Sequence, residues 1–152
     1  MVESKAKEIM GEEPKAVSAL GLYVPVKKIN NLIFTSGQIP TKDGVPIALG
    51  KVGAEVTVEK AQECAQLAAF NSLGAIKSVL GDLDKVDEII KLTVFVSSAV
   101  GFSGQPAVAN GASDFFVKVF GDKGKHARSA VGVSELPLNV PVELEVIISV
   151  KE

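Results

Sequence analysis

Residues 125–146 have the sequence KHARSAVGVSELPLNVPVELEV, which contains two apolar segments joined by a proline-marked turn at ELPLN. Apolar residues that alternate with other residues predict a β-strand on each side of this turn. Both predicted strands also carry charge, because Arg128 starts the first and Glu143 and Glu145 start the second. A charged side chain beside a protein core requires a partner or solvent, so these residues bear on function as well as on fold.

The alternation of a strand decides which of these residues share a face of the sheet. Arg128, Ala130 and Gly132 lie together on the first strand, and Glu143 and Glu145 lie together on the second. If the two strands pair through the turn, Arg128 and Glu143 reach one cleft. Either Arg128 forms a partly buried ion pair with one of the glutamates, or the glutamates lie on a solvated edge. Alternatively, the guanidinium binds a ligand carboxylate through two parallel N–H donors, and a glutamate accepts a proton from water.

Upstream of this stretch, the sequence predicts a hairpin, a loop and a further strand. Residues 22–29, LYVPVKKI, and residues 32–39, LIFTSGQI, have strand-like patterns, and two asparagines between them indicate a turn. Residues 40–56 contain two prolines and three glycines, which predict an irregular loop. Residues 89–99, IIKLTVFVSSA, are rich in β-branched residues and predict a largely buried central strand.

Two segments have the periodicity of helices. Thr57 indicates the start of the first helix and Gly81 its end, while the second begins after Pro106 and ends at Gly121. Residues of the first helix recur at spacings of three and four, the pattern of a stripe packed on a sheet. This stripe consists of Ala61, Cys64, Ala65, Ala68, Ser72, Ala75, Ile76, Val79 and Leu80.

The predicted order is strand, strand, helix, strand, helix, strand, strand. It indicates an α+β fold in which two helices cover one face of a mixed sheet. We expect the other face to carry apolar residues as well, among them Ile33, Thr35, Val94 and Val96. A two-layer domain would leave that face in water, so we expect a homo-oligomer to cover it.

Composition limits the classes of function. The chain has 152 residues, of which 47% are apolar and 22% charged, and this balance fits one folded domain. A net charge of −2 without a run of lysine or arginine argues against a nucleic-acid partner. No apolar run approaches the roughly 18 residues of a membrane helix, and the N-terminus shows no export signal, so we expect a cytoplasmic protein with no membrane partner.

The single cysteine and the single histidine exclude an internal disulfide and a metal site made only of these residue types. Cys64 lies on the apolar stripe of the first helix, which favours a buried, unreactive thiol over a nucleophile. His126 lies near Arg128, but no second histidine or cysteine accompanies it. We therefore interpret His126 as a solvated loop residue rather than a catalytic one.

Four motifs together resemble one known family. ARSAVGVSELPLNVPVELEVI at residues 127–147 resembles the C-terminal signature of the reactive intermediate deaminase family (RidA/YjgF, also described as endoribonuclease L-PSP-like). IFTSGQIP at residues 33–40 is similar to its second signature, LGLYV at residues 20–24 to its glycine-x-tyrosine start, and KLTVFVSS at residues 91–98 to its central strand. Each motif is weak alone, whereas their combination is specific.

This resemblance implies a subunit like that of the trimeric chorismate mutase, and a homotrimer with three clefts between subunits. Residues 1–19 would be an N-terminal extension and residues 20–152 the RidA/YjgF-like domain. Characterised members hydrolyse reactive enamines and imines, formed when pyridoxal-phosphate enzymes dehydrate serine or threonine, to 2-oxo acids and ammonia. The resemblance implies that no cofactor or metal is needed.

Carried over by motif, Arg128 matches the arginine that binds the substrate carboxylate, and Glu143 matches the glutamate that orients or activates water. The chemistry agrees with these roles. An imine carbon is already electrophilic, so the protein mainly has to hold the acid and place water on it.

Four further positions match residues that line the ligand cleft of the family. Ser36 and Gly37 match a ligand-contacting serine and glycine, Tyr23 matches a cleft tyrosine, and Asn110 matches an asparagine if a one-residue gap is allowed. Each also has a structural interpretation. The serine and glycine could form a strand bulge, the tyrosine could pack on the sheet, and the asparagine with the following glycine could mark a turn.

The pattern departs from typical members on both sides of Arg128. Typical members have proline before Ala-Arg-Ser and usually cysteine after it, whereas this chain has His126 and Ala130. These changes indicate a less-characterised branch and put the substrate and the reaction in doubt. The leading hypothesis is a deaminase of small 2-imino acids, the alternative is a non-catalytic trimer that binds a small carboxylate such as a 2-oxo acid, and a ribonuclease fits the acidic chain poorly.

Overall fold

Helices pack on a β-sheet in the computed structural model, which describes residues 1–15 and 21–152. The helices are α1 (Val2–Met10), α2 (Val58–Leu80) and α3 (Gln105–Phe120). The strands are β1 (Val26–Ile29), β2 (Leu32–Thr35), β3 (Thr41–Lys42), β4 (Val45–Pro46), β5 (Val86–Ser97), β6 (Ala127–Val133) and β7 (Val142–Val150). Single 3₁₀ turns occur at Leu83–Lys85, Gly121–Gly124 and Pro137–Asn139.

The main sheet is mixed and has the order β1-β2-β7-β5-β6. Only β5 and β6 are parallel, while the other neighbours are antiparallel. The predicted pairing of β6 with β7 is wrong, because β5 lies between them. The crossover through α3 places β6 parallel to β5 on one edge, and β7 then uses the other edge of β5 and joins it to the β1–β2 hairpin. The predicted α+β class with a mixed sheet is confirmed.

The helices cover one face of this sheet, and that face contains the core. Four residues that we expected on the open face lie on the helix side and are buried: Ile33, Thr35, Val94 and Val96. That prediction is wrong, because both faces carry apolar residues and alternation alone does not say which one the helices cover. The open face instead presents Phe34 and Val131, with 40% and 43% of their surfaces exposed.

The ends of α2 are the ones that the sequence predicts. The Thr57 side chain accepts a hydrogen bond from the Lys60 backbone N–H at 3.1 Å, and Gly81 ends the helix with a positive φ of 76°. The predicted stripe is buried except for Val79, which is 49% exposed. α3 begins at Gln105, one residue before Pro106 rather than after it, and Gly121 follows its last residue as predicted.

The two long helices approach each other closely at Gly111 of α3. A Cβ atom at this position would lie 2.1 Å from the Gln62 carbonyl oxygen, so only glycine allows this contact. The close contact fixes the rotation of α3 over the sheet. It thereby also fixes where Asn110 and Ser113 project.

The N-terminal residues pack on the helix layer. Ala6 of α1 is completely buried, and Glu3 forms an ion pair with Lys77 of α2 at 2.7 Å. A Cβ atom on Gly74 would lie 1.9 Å from the Lys15 carbonyl oxygen, so this segment runs directly against α2. The division into residues 1–19 and 20–152 stays a prediction, since its boundary lies outside the described residues.

The segment that was expected to be an irregular loop contains a small hairpin of β3 and β4. Its turn residues, Asp43 and Gly44, both have positive φ angles of 51° and 80°, the conformation that Asp-Gly favours in tight hairpins. Asn71 of α2 anchors the entrance, because its side chain donates to the carbonyl oxygens of Ile39 and Thr41 at 3.0 and 2.9 Å. The segment between β2 and β3 is thereby held on α2.

Candidate functional site

Arg128 lies near the start of β6, opposite Leu92 of β5, on the face that the helices cover. Its Nη1 atom donates to Asn110 Oδ1 at 2.8 Å and to Ser113 Oγ at 3.1 Å. Asn110 and Ser113 are three residues apart on α3, so they project from adjacent turns of one helix face. The structure therefore brings Arg128 together with Asn110, as the motif comparison predicts.

Among the described residues, no acidic side chain forms an ion pair with Arg128. The structural interpretation, an ion pair with Glu143 or Glu145, is therefore wrong within one chain. The strand order explains this result, because β5 separates β6 from β7 by two strand spacings, about 10 Å. The two side chains also project from opposite faces of the sheet, so the guanidinium keeps capacity for an external anion.

Glu143 lies on β7 opposite Phe95 of β5, on the open face. The side chain is half-buried, and this burial raises the pKa of its carboxyl group. The charge of Glu145 on the same face raises it further. Gly37 lies directly beside the carboxylate, since a Cβ atom there would be 2.7 Å from Glu143 Oε2. The structure thus brings Gly37 and Glu143 together.

The segment after β2 crosses beside β7 through a pair of backbone hydrogen bonds. Gln38 N–H donates to the Leu144 carbonyl at 2.7 Å, and Leu144 N–H donates to the Gln38 carbonyl at 3.0 Å. Ser36 is held from the other side, because its hydroxyl donates to the Val24 carbonyl at 2.6 Å and its N–H to the Pro25 carbonyl at 2.8 Å. These contacts place Gly37 against Glu143.

Tyr23 precedes β1 and is 51% exposed. Its ring lies close to Gly21, where a Cβ atom would be 2.9 Å from Tyr23 Cε1. Leu20, the first residue of the tyrosine motif, lies outside the described residues.

The candidate site residues therefore form two groups on opposite faces of one sheet. We call Arg128, Asn110, Ser113 and His126 the arginine half-site, and Glu143, Gly37 and Ser36 the glutamate half-site. The first offers cationic N–H donors for an anion. The second offers a carboxylate with a raised pKa, which suits it to exchange a proton with water. One chain does not bring the two half-sites together.

His126 and Ser113 belong to the arginine half-site, although sequence reasoning assigned no role to Ser113 and placed His126 outside the site. The His126 ring is half-buried, with Nε2 2.9 Å from Ser113 Oγ and Nδ1 2.6 Å from the Gly124 carbonyl oxygen. His126 lies in the loop before β6, as interpreted, but its ring is hydrogen-bonded and half-buried rather than solvated. Two spacings could have revealed the group: His126 and Arg128 are two apart in an extended segment, and Asn110 and Ser113 are three apart on a helix.

An open groove of about 560 Å³ borders the arginine half-site between α2 and α3. Asn110 and Ser113 line it together with Gln62 and the acidic residues Glu63 and Asp114. The two carboxylates disfavour an anion within the groove itself. A carboxylate ligand is therefore favoured at the guanidinium and not between the helices.

Other reactive groups are scarce in the part of the chain that the structure describes. Cys64 is completely buried, as predicted, and burial raises the pKa of its thiol to about 11, so little nucleophilic thiolate is present at neutral pH. Across residues 1–15 and 21–152, no group of three or more histidine, cysteine, aspartate or glutamate side chains is arranged to hold a metal ion. Within the same residues, every helix is too short or too polar to span a bilayer.

Comparison with known proteins identifies relatives along most of the chain. A family model described as "YjgF/chorismate mutase-like, putative endoribonuclease" matches residues 3–148. Protein TCP17 of Trypanosoma cruzi is 39% identical over 136 residues, which are 89% of this chain and 85% of that protein. A protein of Dermatophagoides farinae named 2-iminobutanoate/2-iminopropanoate deaminase is 28% identical over 138 residues, 91% of this chain and 93% of that protein.

Two solved structures show the range of similarity in three dimensions. The Agrobacterium tumefaciens protein Atu1372, described as having unknown function, has 40% identity and a TM-score of 0.91, with 99% of this chain and 92% of that chain covered. E. coli TdcF with bound serine has 28% identity and a TM-score of 0.65, with coverage of 93% and 97%. The fold is thus shared with a relative that holds a small amino acid, while the similarity is greater to a protein without an assigned reaction.

Proposed function

This chain belongs to the YjgF/chorismate mutase-like family, and on that premise we propose that it hydrolyses small 2-imino acids and their enamine forms to 2-oxo acids and ammonia. One observation carries the proposal: among the described residues, Arg128 is held by neutral oxygen atoms and forms no ion pair. A relative named 2-iminobutanoate/2-iminopropanoate deaminase and a related structure with bound serine support a ligand of this size and charge.

Arg128 would bind the substrate carboxylate. Asn110 and Ser113 both take their hydrogen bond from Nη1, so among the described residues the remaining guanidinium N–H groups have no acceptor and are available to a ligand. Two parallel N–H donors match a carboxylate, and a charge-assisted pair of this kind is roughly twice as strong as a neutral hydrogen bond. Substrates without a carboxylate would then be poorly bound.

Glu143 would act on water. Water adds to C2 of the protonated imine while the Glu143 carboxylate takes one of its protons, which gives a carbinolamine with hydroxyl and amino groups on the same carbon. Glu143 then returns that proton to the amino group, the C–N bond breaks and ammonia leaves, while the C2 hydroxyl gives its proton to the regenerated Glu143 carboxylate and becomes the 2-oxo group. A carboxyl with a raised pKa favours both steps, because its carboxylate is a stronger base and its protonated form persists to higher pH.

We place the complete site between subunits of a homotrimer. The two half-sites face away from each other within one chain, so a cleft that contains both requires a second copy. Phe34 and Val131 on the open face support such an assembly, since they leave apolar surface in water. A cytoplasmic location stays a prediction.

The proposal can be tested with 2-aminoacrylate generated by a serine dehydratase, with pyruvate release followed over time. The wild-type chain is expected to accelerate release, and Arg128→Ala to reduce kcat/KM by about a hundredfold or more, as loss of a paired charge does. Lys125→Ala is the matched control, because this exposed cation is three residues away and pairs with Asp122. No acceleration by the wild type, or equal activity in Arg128→Ala, would overturn the proposal.

A second candidate function is non-catalytic binding of a small 2-oxo acid. The separation of the half-sites favours it, because binding needs only the arginine half-site. Calorimetry with 2-oxobutanoate distinguishes the two functions. Tight binding without imine turnover would establish the binding protein, whereas turnover with weak product binding would establish the enzyme. The net charge of −2 argues against the RNA cleavage that the family description mentions.

A further inference from the structure

Ser113 and His126 belong to the arginine half-site, yet the proposed reaction gives them no step. Ser113 Oγ lies 3.1 Å from Arg128 Nη1 and 2.9 Å from His126 Nε2. His126 Nδ1 lies 2.6 Å from the Gly124 carbonyl oxygen. These contacts form one continuous chain of hydrogen bonds that starts at the guanidinium and ends on the backbone.

The chemistry of the groups fixes the direction of this chain. A carbonyl oxygen only accepts, so His126 Nδ1 carries a proton, and in the uncharged form of the ring Nε2 then accepts. A guanidinium only donates, so Ser113 Oγ accepts from Arg128 and directs its own proton to His126 Nε2. Every donor then has an acceptor, and the hydroxyl has one orientation in place of three.

The far end of the chain is held by packing. The His126 ring stands edge-on to Phe116, with centroids 6.1 Å apart and an interplanar angle of 79°. Gly124 is pressed against the end of α3, since a Cβ atom there would lie 2.3 Å from the Phe116 carbonyl oxygen. The acceptor that orients Ser113 is therefore anchored to α3 and to the turn before β6.

We infer that Ser113 and His126 are positioning residues, which hold the Nη1 side of Arg128 so that the rest of the guanidinium is oriented for a carboxylate before the ligand binds. The inference rests on the proposed function, because it specifies how the proposed carboxylate site is prepared. Among the described residues, the hydrogen bonds of the guanidinium come from Nη1 alone. A long side chain that is already ordered loses less conformational entropy on binding.

Binding of 2-oxobutanoate, measured by calorimetry, tests the inference without a need for turnover. Ser113→Ala and His126→Phe are each expected to raise Kd about threefold to tenfold, the effect of releasing one ordered side chain. In turnover of 2-aminoacrylate, KM should rise while kcat changes little. Ser129→Ala is the control, because this neighbour of Arg128 bonds Lys91 on the other face of the sheet and should leave Kd unchanged.

Conservative and combined variants distinguish a positioning role of Ser113 and His126 from a general loss of stability. Ser113→Thr keeps the hydroxyl and His126→Gln keeps an uncharged acceptor, so both should bind like the wild type. Ser113→Ala combined with His126→Phe should raise Kd no more than Ser113→Ala alone, because both substitutions break the same chain of hydrogen bonds. A purely structural role predicts instead that melting temperature falls while Kd stays constant.

A ligand-free measurement keeps the inference separate from the proposed function. In ¹⁵N NMR spectra, a guanidinium held through Nη1 rotates slowly about Cζ–Nη and gives resolved Nη signals for Arg128. Ser113→Ala and His126→Phe are expected to merge these signals. Unchanged signals in both variants would overturn the inference. If the signals merge but the wild type binds no 2-oxo acid, the positioning role stands and the proposed function fails.

Discussion

The two half-sites differ in how they hold a charged side chain on the sheet. Arg128 is held by hydrogen bonds to α3, and a histidine anchored in the preceding turn supports them. Gly37 has no side chain and leaves the space that the Glu143 carboxylate occupies. Burial and the charge of Glu145 raise the pKa of this carboxylate. The arginine is thus oriented within its own chain, whereas the glutamate is left with an unfavourable charge. A ligand or a second subunit that compensates the Glu143 charge would therefore stabilise the glutamate half-site.

Glu143→Gln has the largest expected effect and tests whether the arginine half-site binds the ligand while the glutamate half-site performs the reaction. We expect kcat for 2-aminoacrylate to fall by a factor of about 10² to 10⁴, the usual contribution of a general acid–base group, while Kd for 2-oxobutanoate stays close to that of the wild type. Glu88→Gln is the control, because this exposed carboxylate lies on β5 opposite Ser149 and is not part of either half-site, so it should change kcat by less than about twofold. A large loss of binding in Glu143→Gln would show that the half-sites do not divide the work in this way.

Mixing two inactive variants tests whether the half-sites meet between chains. Arg128→Ala and Glu143→Gln, co-expressed in equal amounts, should recover about a quarter of wild-type activity, because in a cyclic assembly one interface in four pairs an intact arginine with an intact glutamate. Each variant expressed alone provides the baseline. Activity that stays at this baseline would place both half-sites of one active centre in the same subunit.

Gly37→Ala tests whether the space left by this glycine determines the position of the Glu143 carboxylate. The added Cβ would lie 2.7 Å from Glu143 Oε2, so the carboxylate has to move. We expect kcat to fall roughly tenfold, because small displacements of a catalytic group are costly, with little change in melting temperature. In a Glu143→Gln background, Gly37→Ala should lower kcat hardly any further. Independent, additive losses of kcat would contradict the proposed contact.

The smallest expected effect is a pH-dependent difference in stability. The folded chain raises the pKa of Glu143, so ionisation of this group lowers the free energy of unfolding. This loss of stability is absent below the ordinary glutamate pKa and complete above the raised one. The melting temperature of Glu143→Gln should therefore match the wild type at acidic pH and exceed it at pH 8. A wild type that is more stable at pH 8 would mean that a cation, such as an arginine of another subunit, already neutralises Glu143.

Local signals in the sequence predict much of the fold. Thr57 and Gly81 mark the ends of α2 because the cap hydrogen bond and the positive φ are properties of single residues. The pairing of strands is not local, and nothing near residues 125–146 indicates that β5 takes the place between β6 and β7. For this reason Arg128 and Glu143 do not meet through the turn within one chain.

The candidate site shows the same limit. The motif comparison identifies Arg128 and Glu143 by residue type, and the structure joins each to a motif neighbour, Asn110 and Gly37. Ser113 and His126 were missed, because a contact between a helix and the turn that follows it depends on how α3 lies over the sheet. The packing of Gly111 on α2 contributes to that geometry, together with the hydrogen bond from the Gln62 side chain to the Ala107 carbonyl.

The sealed position of Cys64 makes the chain convenient for labelling chemistry. It is the single cysteine, it is completely buried, and its pKa of about 11 keeps it protonated at neutral pH. An exposed substitution such as Ser103→Cys therefore introduces one maleimide-reactive thiol into an otherwise native background. A fluorophore or spin label attached there can report the approach of neighbouring copies and of ligands, with no native residue removed beforehand.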